Sequence, residues 1–327
     1  MKALVTGATG FVGGHLAETL RRRGAEVTAL VRSPAKAAPL TALGVRTVQG
    51  DLHDQAALRE ATRGQDVIFH VAGLVAARDE ADFLRGNRDG TASLLAAAEA
   101  GETVPRFVLV SSMAAAGPAP RGRPLTGDEP PAPVTAYGRS KLAGEAVVRA
   151  ASIPWVIVRP PMVYGPRDTE VLKVFRIARL GVAPVFGDGS QELSAIYGPD
   201  LAEALVAAAT SERTVGRTYY ACHPEVFTSA GFVRAVGAAW RGVAAAPVRV
   251  VPLPAALAQL ALRVTGTAAR LAGKATILTP DKAHEFFQPA WTGDPAPLEA
   301  DAGWRAGHDL QSGLAATAQW YRDQHWL

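Results

Sequence analysis

At residues 2–13 the chain reads KALVTGATGFVG, in which a short apolar run is followed by three glycines and the start of a helical pattern. This order predicts a strand, a tight turn and a helix. Gly7 permits the turn, Gly10 lets the backbone approach a pyrophosphate, and Gly13 allows the helix to pack closely on the strand. The helix N-terminus offers unpaired N–H groups to an anion. We therefore expect a bound dinucleotide, with contacts from Gly7, Thr9, Gly10, Phe11 and Val12.

Apolar runs and helical patterns alternate after this turn. The predicted strands cover residues 27–31, 46–49, 67–70, 107–111 and 155–159, and the predicted helices cover 12–23, 55–62, 88–100 and 137–151. Strands that alternate with helices indicate an α/β fold with a doubly wound parallel sheet. We predict a dinucleotide-binding Rossmann domain over residues 1–166, to which the chain returns around 194–215.

The regular alternation ends after Tyr164-Gly165-Pro166. We expect residues 167–327 to form mainly a smaller, irregular substrate-binding domain. Its predicted elements are helices around 169–180, 199–210 and 228–240, a strand at 248–251, and an amphipathic helix pair within 252–273. Four polar side chains interrupt this last apolar segment, so it is not expected to span a membrane.

The composition is that of a soluble globular protein, with 48% hydrophobic and 20% charged residues among 327. The 34 basic and 30 acidic residues form no basic block, so nucleic-acid binding is not expected. The single cysteine, Cys222, excludes an internal disulfide and a thiol cluster for zinc, and no histidine spacing suggests another metal site. The start of the chain has no signal-peptide pattern, and we expect a cytoplasmic protein.

The end of the second predicted strand indicates which dinucleotide binds. A carboxylate there would accept a hydrogen bond from the ribose of NAD, whereas an arginine would accommodate the 2′-phosphate of NADP. Arg32 occupies this place and Lys36 follows, which favours NADP over NAD, although arginines also populate exposed loops. Asp51 ends the third strand, where its carboxylate would meet the adenine amine or cap the helix over 55–62.

Tyr137 and Lys141 lie four positions apart and so share one helix face. A free tyrosine titrates near pH ~10, and a neighbouring cation moves its pKa toward neutrality. The pair therefore suggests an acid–base catalyst in which Lys141 assists Tyr137.

Several further motifs occur in one order with this pair and with the glycine turn. They are Asp51-Leu52, His70-Val71-Ala72-Gly73, Asn87-x-x-Gly90-Thr91, Ser111-Ser112 and Arg159-Pro160-Pro161-x-x-Tyr164-Gly165-Pro166. Together they resemble the extended short-chain dehydrogenase/reductase family, also called the NAD-dependent epimerase/dehydratase family. The resemblance covers essentially the whole chain and is most specific in residues 1–166.

The resemblance implies roles for individual residues. Ser112, rather than Ser111, would hydrogen-bond the substrate oxygen. Tyr137 would transfer the proton, and Lys141 would hold the nicotinamide ribose and stabilise the phenolate. The implied cofactor contacts beyond the glycine turn are Arg32, Lys36, Asp51, Leu52, Ala72, Gly73, Asn87, Tyr137, Lys141, Pro161 and Met162.

Departures from the family pattern narrow the expected reaction. Dehydratases and decarboxylases of the family carry carboxylates after the catalytic hydroxyl, whereas this chain has Met113 followed by alanines. Met162 and Leu193 stand where many sugar-nucleotide epimerases have polar groups, and a diphosphate there would be desolvated without partners. These positions, with Leu278-Thr279-Pro280-Asp281-Lys282, resemble the branch of 3β-hydroxysteroid dehydrogenases and dihydroflavonol reductases.

The leading hypothesis is an NAD(P)-dependent alcohol dehydrogenase or carbonyl reductase that interconverts a secondary alcohol and a ketone or aldehyde on a largely apolar small molecule. Two alternatives stay open. One is an NAD-dependent sugar or nucleotide-sugar epimerase that uses the same tyrosine. The other is a dinucleotide-binding sensor or assembly factor without turnover. The helices over 88–100 and 137–151 carry many alanines, so they either pack against their own sheet or pair with a second subunit; the resemblance implies a homodimer.

Overall fold

A central seven-stranded parallel sheet organises the chain in the computed structural model, which describes residues 1–242, 246–271, 276 and 280–327. The sheet contains β1 (Lys2–Thr6), β2 (Glu26–Val31), β3 (Arg46–Gln49), β4 (Val67–His70), β5 (Arg106–Val110), β6 (Trp155–Arg159) and, as the last strand to join, β11 (Arg217–Tyr220). The spatial order is β11-β6-β5-β4-β1-β2-β3. The strand order therefore reverses between β1 and β4, where doubly wound sheets bind their ligands.

Smaller strand groups lie beyond this sheet. They are β7 (Met162–Tyr164) paired with β10 (Ala195–Tyr197), β8 (Val182–Phe186) paired with β13 (Arg249–Leu253), and β9 (Glu192–Leu193) between β12 (Phe227–Thr228) and β14 (Ala290–Trp291).

The helices of the first half are the four predicted ones and three short ones that were not predicted. They are α1 (Phe11–Arg22), α2 (Ala38–Ala42), α3 (Gln55–Thr62), α4 (Glu80–Leu84), α5 (Gly90–Glu99), α6 (Met113–Ala116) and α7 (Ala136–Arg149), with a π-helical turn at Arg85–Asp89. The later helices are α8 (Glu170–Ala178), α9 (Gly198–Thr210), α10 (Ser229–Arg241), α11 (Ala255–Leu271), α12 (Ala283–Phe286), α13 (Ala296–Ala302) and α14 (Leu310–Asp323).

Alternate side chains of each strand pack on opposite faces of the sheet. Along β1, Val5 joins the apolar core formed with α1 and α9, whereas Leu4 joins the core formed with α3, α5 and α7. Both faces are thus covered by helices, which explains why the sheet strands read as nearly continuous apolar runs. The predicted α/β fold with a doubly wound parallel sheet is confirmed.

The second half of the chain differs from the sequence prediction in two places. Helix α9 packs against α1 within the range 194–215 predicted for the return of the chain, and β11, which was not predicted, then adds the edge strand of the sheet. The helix pair predicted within 252–273 is wrong over the residues of this stretch that the structure describes, which end at 271. A single helix, α11, follows β13 there. Residues 272–273, and Leu278-Thr279 of the reductase-like motif, lie outside the described residues.

Within the described ranges, no helix has the length and apolar character needed to cross a membrane. The same part of the chain contains no group of three or more His, Cys, Asp or Glu residues that could hold a metal ion. Cys222 is buried, and its thiol donates to the carbonyl oxygen of Gly293 at 3.1 Å.

Candidate active site

The glycine turn brings β1, β4 and α1 into close contact. Gly7 has a φ of +72°, and a Cβ there would lie 2.7 Å from the backbone nitrogen of Ala72. A Cβ on Gly13 would lie 2.2 Å from the carbonyl oxygen of Gly7. Neither position therefore has room for a side chain in this arrangement.

The N-terminus of α1 faces this turn. Its N-cap, Gly10, has no side chain that accepts from the first helical N–H groups. Those groups, together with the bare backbone of the turn, fit the diphosphate of a dinucleotide. Phe11 and Val12 are partly buried in the first turn of α1, and Thr9 is exposed just before it.

We expect Gly7→Ala to raise the Kd of both NADPH and NADH at least about tenfold, because the methyl group strains the backbone and displaces the loop at Ala72. Gly64→Ala is the matched control, since Gly64 has a φ of +65° with no atom within 4 Å of its Cβ position. Calorimetric titration of both cofactors measures the effect. Equal loss of affinity in the two variants would show that general backbone strain, rather than the turn, is responsible.

A buried hydrogen-bond chain fixes the ends of β1 and β4 beside the turn. The hydroxyl of Thr6 lies 2.8 Å from Nδ1 of His70, and Nε2 of His70 lies 3.0 Å from the Thr91 hydroxyl. Burial, with a smaller effect of the Lys141 charge, lowers the pKa of His70 to about 3. His70 is thus neutral at physiological pH and braces the fold.

Asn87 fixes the loop that follows β4. Its side-chain oxygen accepts from the backbone N–H of Leu74 at 2.7 Å, and its nitrogen donates to the Leu74 carbonyl at 3.0 Å and to the Ser140 hydroxyl at 2.9 Å. A Cβ on Gly73 would lie 3.1 Å from the Asn87 oxygen. Asn87 therefore shapes the predicted cofactor loop at Ala72 and Gly73 and ties it to α7.

The predicted adenosine side of the site lies at the ends of β2 and β3. Arg32 and Lys36 are both exposed there. The helix-capping alternative for Asp51 is wrong: Asp54 caps α3, whereas Asp51 accepts from the backbone N–H of His53 at 2.8 Å. Leu52 packs against the start of α5, where a Cβ on Gly90 would lie 2.8 Å from Leu52 Cδ1.

Two helix N-termini bring Ser112 and Tyr137 together. Ser112 caps α6, with its hydroxyl accepting from the N–H of Ala114 at 3.2 Å, and Thr135 caps α7. The two helices touch where a Cβ on Gly138 would lie 2.3 Å from the Ala114 carbonyl oxygen. The Ser112 hydroxyl consequently lies beside the Tyr137 phenol and favours its ionised form. Pro161, between β6 and β7, and Met162, the first residue of β7, are both partly buried.

The pKa of Tyr137 differs from the expected one. Burial raises the pKa of Tyr137 to about 12, hydrogen bonding from Ser112 lowers it, and the Glu285 carboxylate raises it further. The shift is opposite to the lowering expected from Lys141, which is not among its causes. The phenol is protonated at neutral pH, so it can donate a proton to a substrate but must lose that proton before it can accept one.

The Lys141 side chain lies between the end of β5 and the loop that follows β4. Its ammonium group donates to the Val110 carbonyl at 2.7 Å, at the end of β5. The Cβ position of Gly73 lies 3.5 Å from the same nitrogen, so the amine faces the loop after β4. Burial lowers the pKa of Lys141 to about 8, and the nearby Glu145 carboxylate opposes this shift.

A fully buried ion pair supports α7 one turn beyond Lys141. Glu145 accepts from Arg159 through two hydrogen bonds, of 2.8 and 2.6 Å, and also accepts from the Ser111 hydroxyl at 2.5 Å. Burial acts to raise the pKa of Glu145, but Arg159 and Ser111 hold it below its usual range. The Ser111 hydroxyl is thus bound to a carboxylate rather than to backbone, which leaves Ser112 as the hydroxyl beside Tyr137.

A segment from the far end of the chain, residues 280–288, covers the start of α7. Asp281 accepts from the backbone N–H of Ala136 at 2.9 Å, and Glu285 accepts from the Thr135 hydroxyl at 2.8 Å. Lys282 forms an ion pair with Glu285, and its ammonium lies 5.7 Å from the centre of the Tyr137 ring. None of these residues was predicted to belong to the site, although Asp281 and Lys282 are part of the reductase-like motif that begins at Leu278.

Aromatic side chains lie beside Tyr137 and against the covering segment. The Phe83 ring lies 5.9 Å from the Tyr137 ring, and Phe186 stacks on Phe286 of the covering segment with 4.2 Å between ring centres. The Gln191 amide donates to three carbonyls of the covering segment, at 2.8–3.2 Å, and so fixes it. Leu193 lies in β9 between Phe227 and Trp291.

Comparison with known proteins agrees with this architecture. Residues 3–222 match the model of the NAD dependent epimerase/dehydratase family. A ceramide reductase of Caulobacter vibrioides is 34% identical over 99% of this chain and 95% of its own length. A 4-hydroxy-2-methyl-3-oxo-4-farnesyl-3,4-dihydroquinoline-1-oxide ketoreductase of Stigmatella aurantiaca is 39% identical over 53% of each chain. The structure of UDP-glucuronic acid 4-epimerase from Bacillus cereus in complex with NAD has a TM-score of 0.76 and 20% identity, covering 99% of this chain and all of that one.

Proposed function

The chain belongs to the NAD-dependent epimerase/dehydratase family, and from this premise we propose that it is an NADP-dependent reductase that converts a ketone with an apolar body to a secondary alcohol. The observation that carries the proposal is the protonated Tyr137 phenol, held beside the Ser112 hydroxyl and next to the Phe83 ring. The names of the Caulobacter and Stigmatella relatives both denote reduction, which supports this direction. NAD binding in the solved epimerase supports the cofactor class, while the choice of NADP rests on Arg32 and Lys36.

The chain's own residues divide the work of the reaction. Ser112 donates a hydrogen bond to the substrate oxygen and aligns it with Tyr137. Tyr137, whose phenol is protonated at neutral pH, then gives its proton to this oxygen as negative charge develops there. Lys141 places a positive charge behind the site when it is protonated. When bound, the nicotinamide supplies the hydride.

The cofactor would lie along the carboxyl ends of β1, β2 and β4. The glycine turn and the N-terminus of α1 hold its diphosphate, Asp51 meets the adenine, and Ala72 and Gly73 provide a backbone wall. The ammonium of Lys141, which faces Gly73, is placed to hold the ribose next to the nicotinamide. Pro161 and Met162 line the opposite side.

Arg32→Ala is expected to reduce the ratio of NADPH affinity to NADH affinity about tenfold, because it removes a charge-assisted hydrogen bond to the 2′-phosphate. Titration of each cofactor measures this ratio. Arg63→Ala is the control, since Arg63 is also exposed but lies at the end of α3 that faces away from the glycine turn. NADH binding more tightly than NADPH to the unaltered protein, or an unchanged ratio of affinities in Arg32→Ala, would show that Arg32 does not bind the 2′-phosphate.

The proposed substrate class is tested with a panel of ketones that share one carbonyl environment and differ in the length of an alkyl chain. We expect kcat/KM with NADPH to rise along the series, since each additional buried methylene stabilises the complex by about 0.8 kcal/mol. A flat profile, or activity confined to polar ketones, would contradict an apolar pocket.

The family-based homodimer through α5 and α7 stays a prediction, which light scattering of the purified protein tests.

A further inference from the structure

The segment from residue 226 to residue 280 has an unusual charge balance. It contains six Lys and Arg residues and no Asp or Glu. The chain as a whole has 34 basic and 30 acidic residues, so the remaining residues contain 28 basic and 30 acidic ones. The net positive charge of the protein therefore comes from this segment, which contains α10, β13 and α11.

The paired strands β8 and β13 expose an apolar face. Val182 and Val251 are 48% and 41% exposed, and Pro184, which pairs with Val251, is exposed on the same face. Leu180, just before β8, is 74% exposed. Four apolar residues from two parts of the chain thus meet solvent together, more than scattered surface residues explain.

Helix α11 follows β13 directly after Pro254 and carries a second group of exposed apolar residues. Ala258 and Leu262 are buried, which fixes the inward side of the helix. Leu257, Leu260 and Val264 follow at intervals of three and four residues and are 56%, 58% and 61% exposed. At this spacing they form one outward apolar stripe. We use the term apolar face for Leu180, Val182, Pro184, Val251, Leu257, Leu260 and Val264.

Basic side chains surround the apolar face. Arg179 precedes Leu180, Arg249 pairs with Val182 across the strands, and Arg263 precedes Val264 on α11. All three are exposed, and none forms an ion pair with another residue among those that the structure describes. An exposed apolar stripe flanked by unpaired arginines is the pattern of a helix that lies at a membrane interface.

The apolar face reaches the segment that covers Tyr137 through Phe186 of β8. Phe186 and Leu253 end the outer faces of β8 and β13, and the backbone N–H of Gly187 donates to the Leu253 carbonyl at 3.1 Å. Phe186 stacks on Phe286, which belongs to the segment covering Tyr137. The apolar face is therefore linked by one aromatic contact to the segment that covers Tyr137.

We propose that the apolar face docks on an anionic lipid bilayer. Its hydrophobic side chains enter the headgroup region, and Arg179, Arg249 and Arg263 contact the anionic headgroups. A second copy of the chain is a poorer occupant, because a symmetric contact would bring these arginines against one another.

Vesicle co-sedimentation of the full-length protein tests the proposal, with neither cofactor nor substrate present. We expect binding to vesicles of phosphatidylcholine mixed with phosphatidylglycerol, and weaker binding to phosphatidylcholine alone. The triple variant Leu257→Glu, Leu260→Glu, Val264→Glu is expected to lower the partition coefficient at least about tenfold. Val104→Glu is the matched control, because Val104 is 70% exposed between α5 and β5, outside the apolar face; it is expected to bind as the unaltered protein does.

A second variant separates the charge from the apolar contact. Arg249→Gln with Arg263→Gln is expected to weaken binding to the anionic vesicles while leaving binding to phosphatidylcholine unchanged. Absence of vesicle binding by the unaltered protein, or equal binding by the triple variant, overturns the proposal. A dimer that dissociates in the triple variant, without any vesicle binding, would instead identify the face as a contact between copies. Because the readout is sedimentation, failure of the proposed reductase activity would not affect it.

Discussion

Replacing Tyr137 by phenylalanine is expected to lower kcat for ketone reduction about a thousandfold while the Kd of NADPH changes by less than about threefold. The substitution removes the proton donor and keeps the ring that contacts Phe83. Because the pKa of Tyr137 is raised to about 12, the phenol is protonated throughout the neutral range in the unaltered protein. The loss of activity is therefore expected at every pH near neutrality. Steady-state rates and cofactor titration measure the two quantities separately.

Tyr219→Phe is the control for this substitution. Tyr219 is also a buried tyrosine with a bound hydroxyl, which donates to Asp301 at 2.7 Å, but it lies in β11 away from the site. We expect its kcat to stay within about threefold of the unaltered protein. Turnover that survives in Tyr137→Phe would show that Tyr137 is not the proton donor. An equal loss of kcat in both variants would indicate a general structural effect.

The second large effect is expected from Glu145→Gln, which should lower the free energy of unfolding by about 3 kcal/mol. The amide cannot neutralise Arg159, which is 2% exposed and has its guanidinium bonded to both carboxylate oxygens. The unfolding midpoint in urea measures the loss. In the double variant Glu145→Gln, Arg159→Met the stranded charge is also removed, and we expect at least half of the lost stability to return.

The pH dependence of this loss follows from the sign of the pKa shift. The folded protein holds the pKa of Glu145 below its usual range, so the carboxylate stabilises the fold above the unfolded value of about 4.3 and loses this contribution as the pH falls through the lower folded value. The difference in stability between the unaltered protein and Glu145→Gln should therefore shrink below about pH 4. A difference that stays constant with pH would show that the ion pair is not its source.

The first half of the fold could be predicted because its signals are local. The predicted strand at 46–49 and helix at 55–62 coincide with β3 and α3, and the predicted helix over 137–151 begins and ends within two residues of α7. In each case an apolar period and a terminal glycine or capping residue lie in the same short stretch. Beyond the glycine turn, the roles of the site residues were predicted from the resemblance to the family rather than from a local pattern.

The rest of the site depends on contacts between distant parts of the chain, which a local pattern does not contain. Glu285 reaches Thr135 across 150 positions, and its carboxylate helps to raise the pKa that Lys141 was expected to lower. Arg159 reads as part of a strand, and its pairing with Glu145 follows from the docking of α7 on β6. The strand β11 escaped prediction because four residues at a sheet edge carry no distinctive period.

The most direct test of the proposed reaction is the stoichiometry of cofactor use. The purified protein is incubated with NADPH and either a long-chain ketone or a UDP-sugar, and both cofactor oxidation and product are quantified. We expect one NADPH to be oxidised for each ketone converted to alcohol, and no conversion of the sugar. Epimerised UDP-sugar without net oxidation of the cofactor would contradict the reductase assignment.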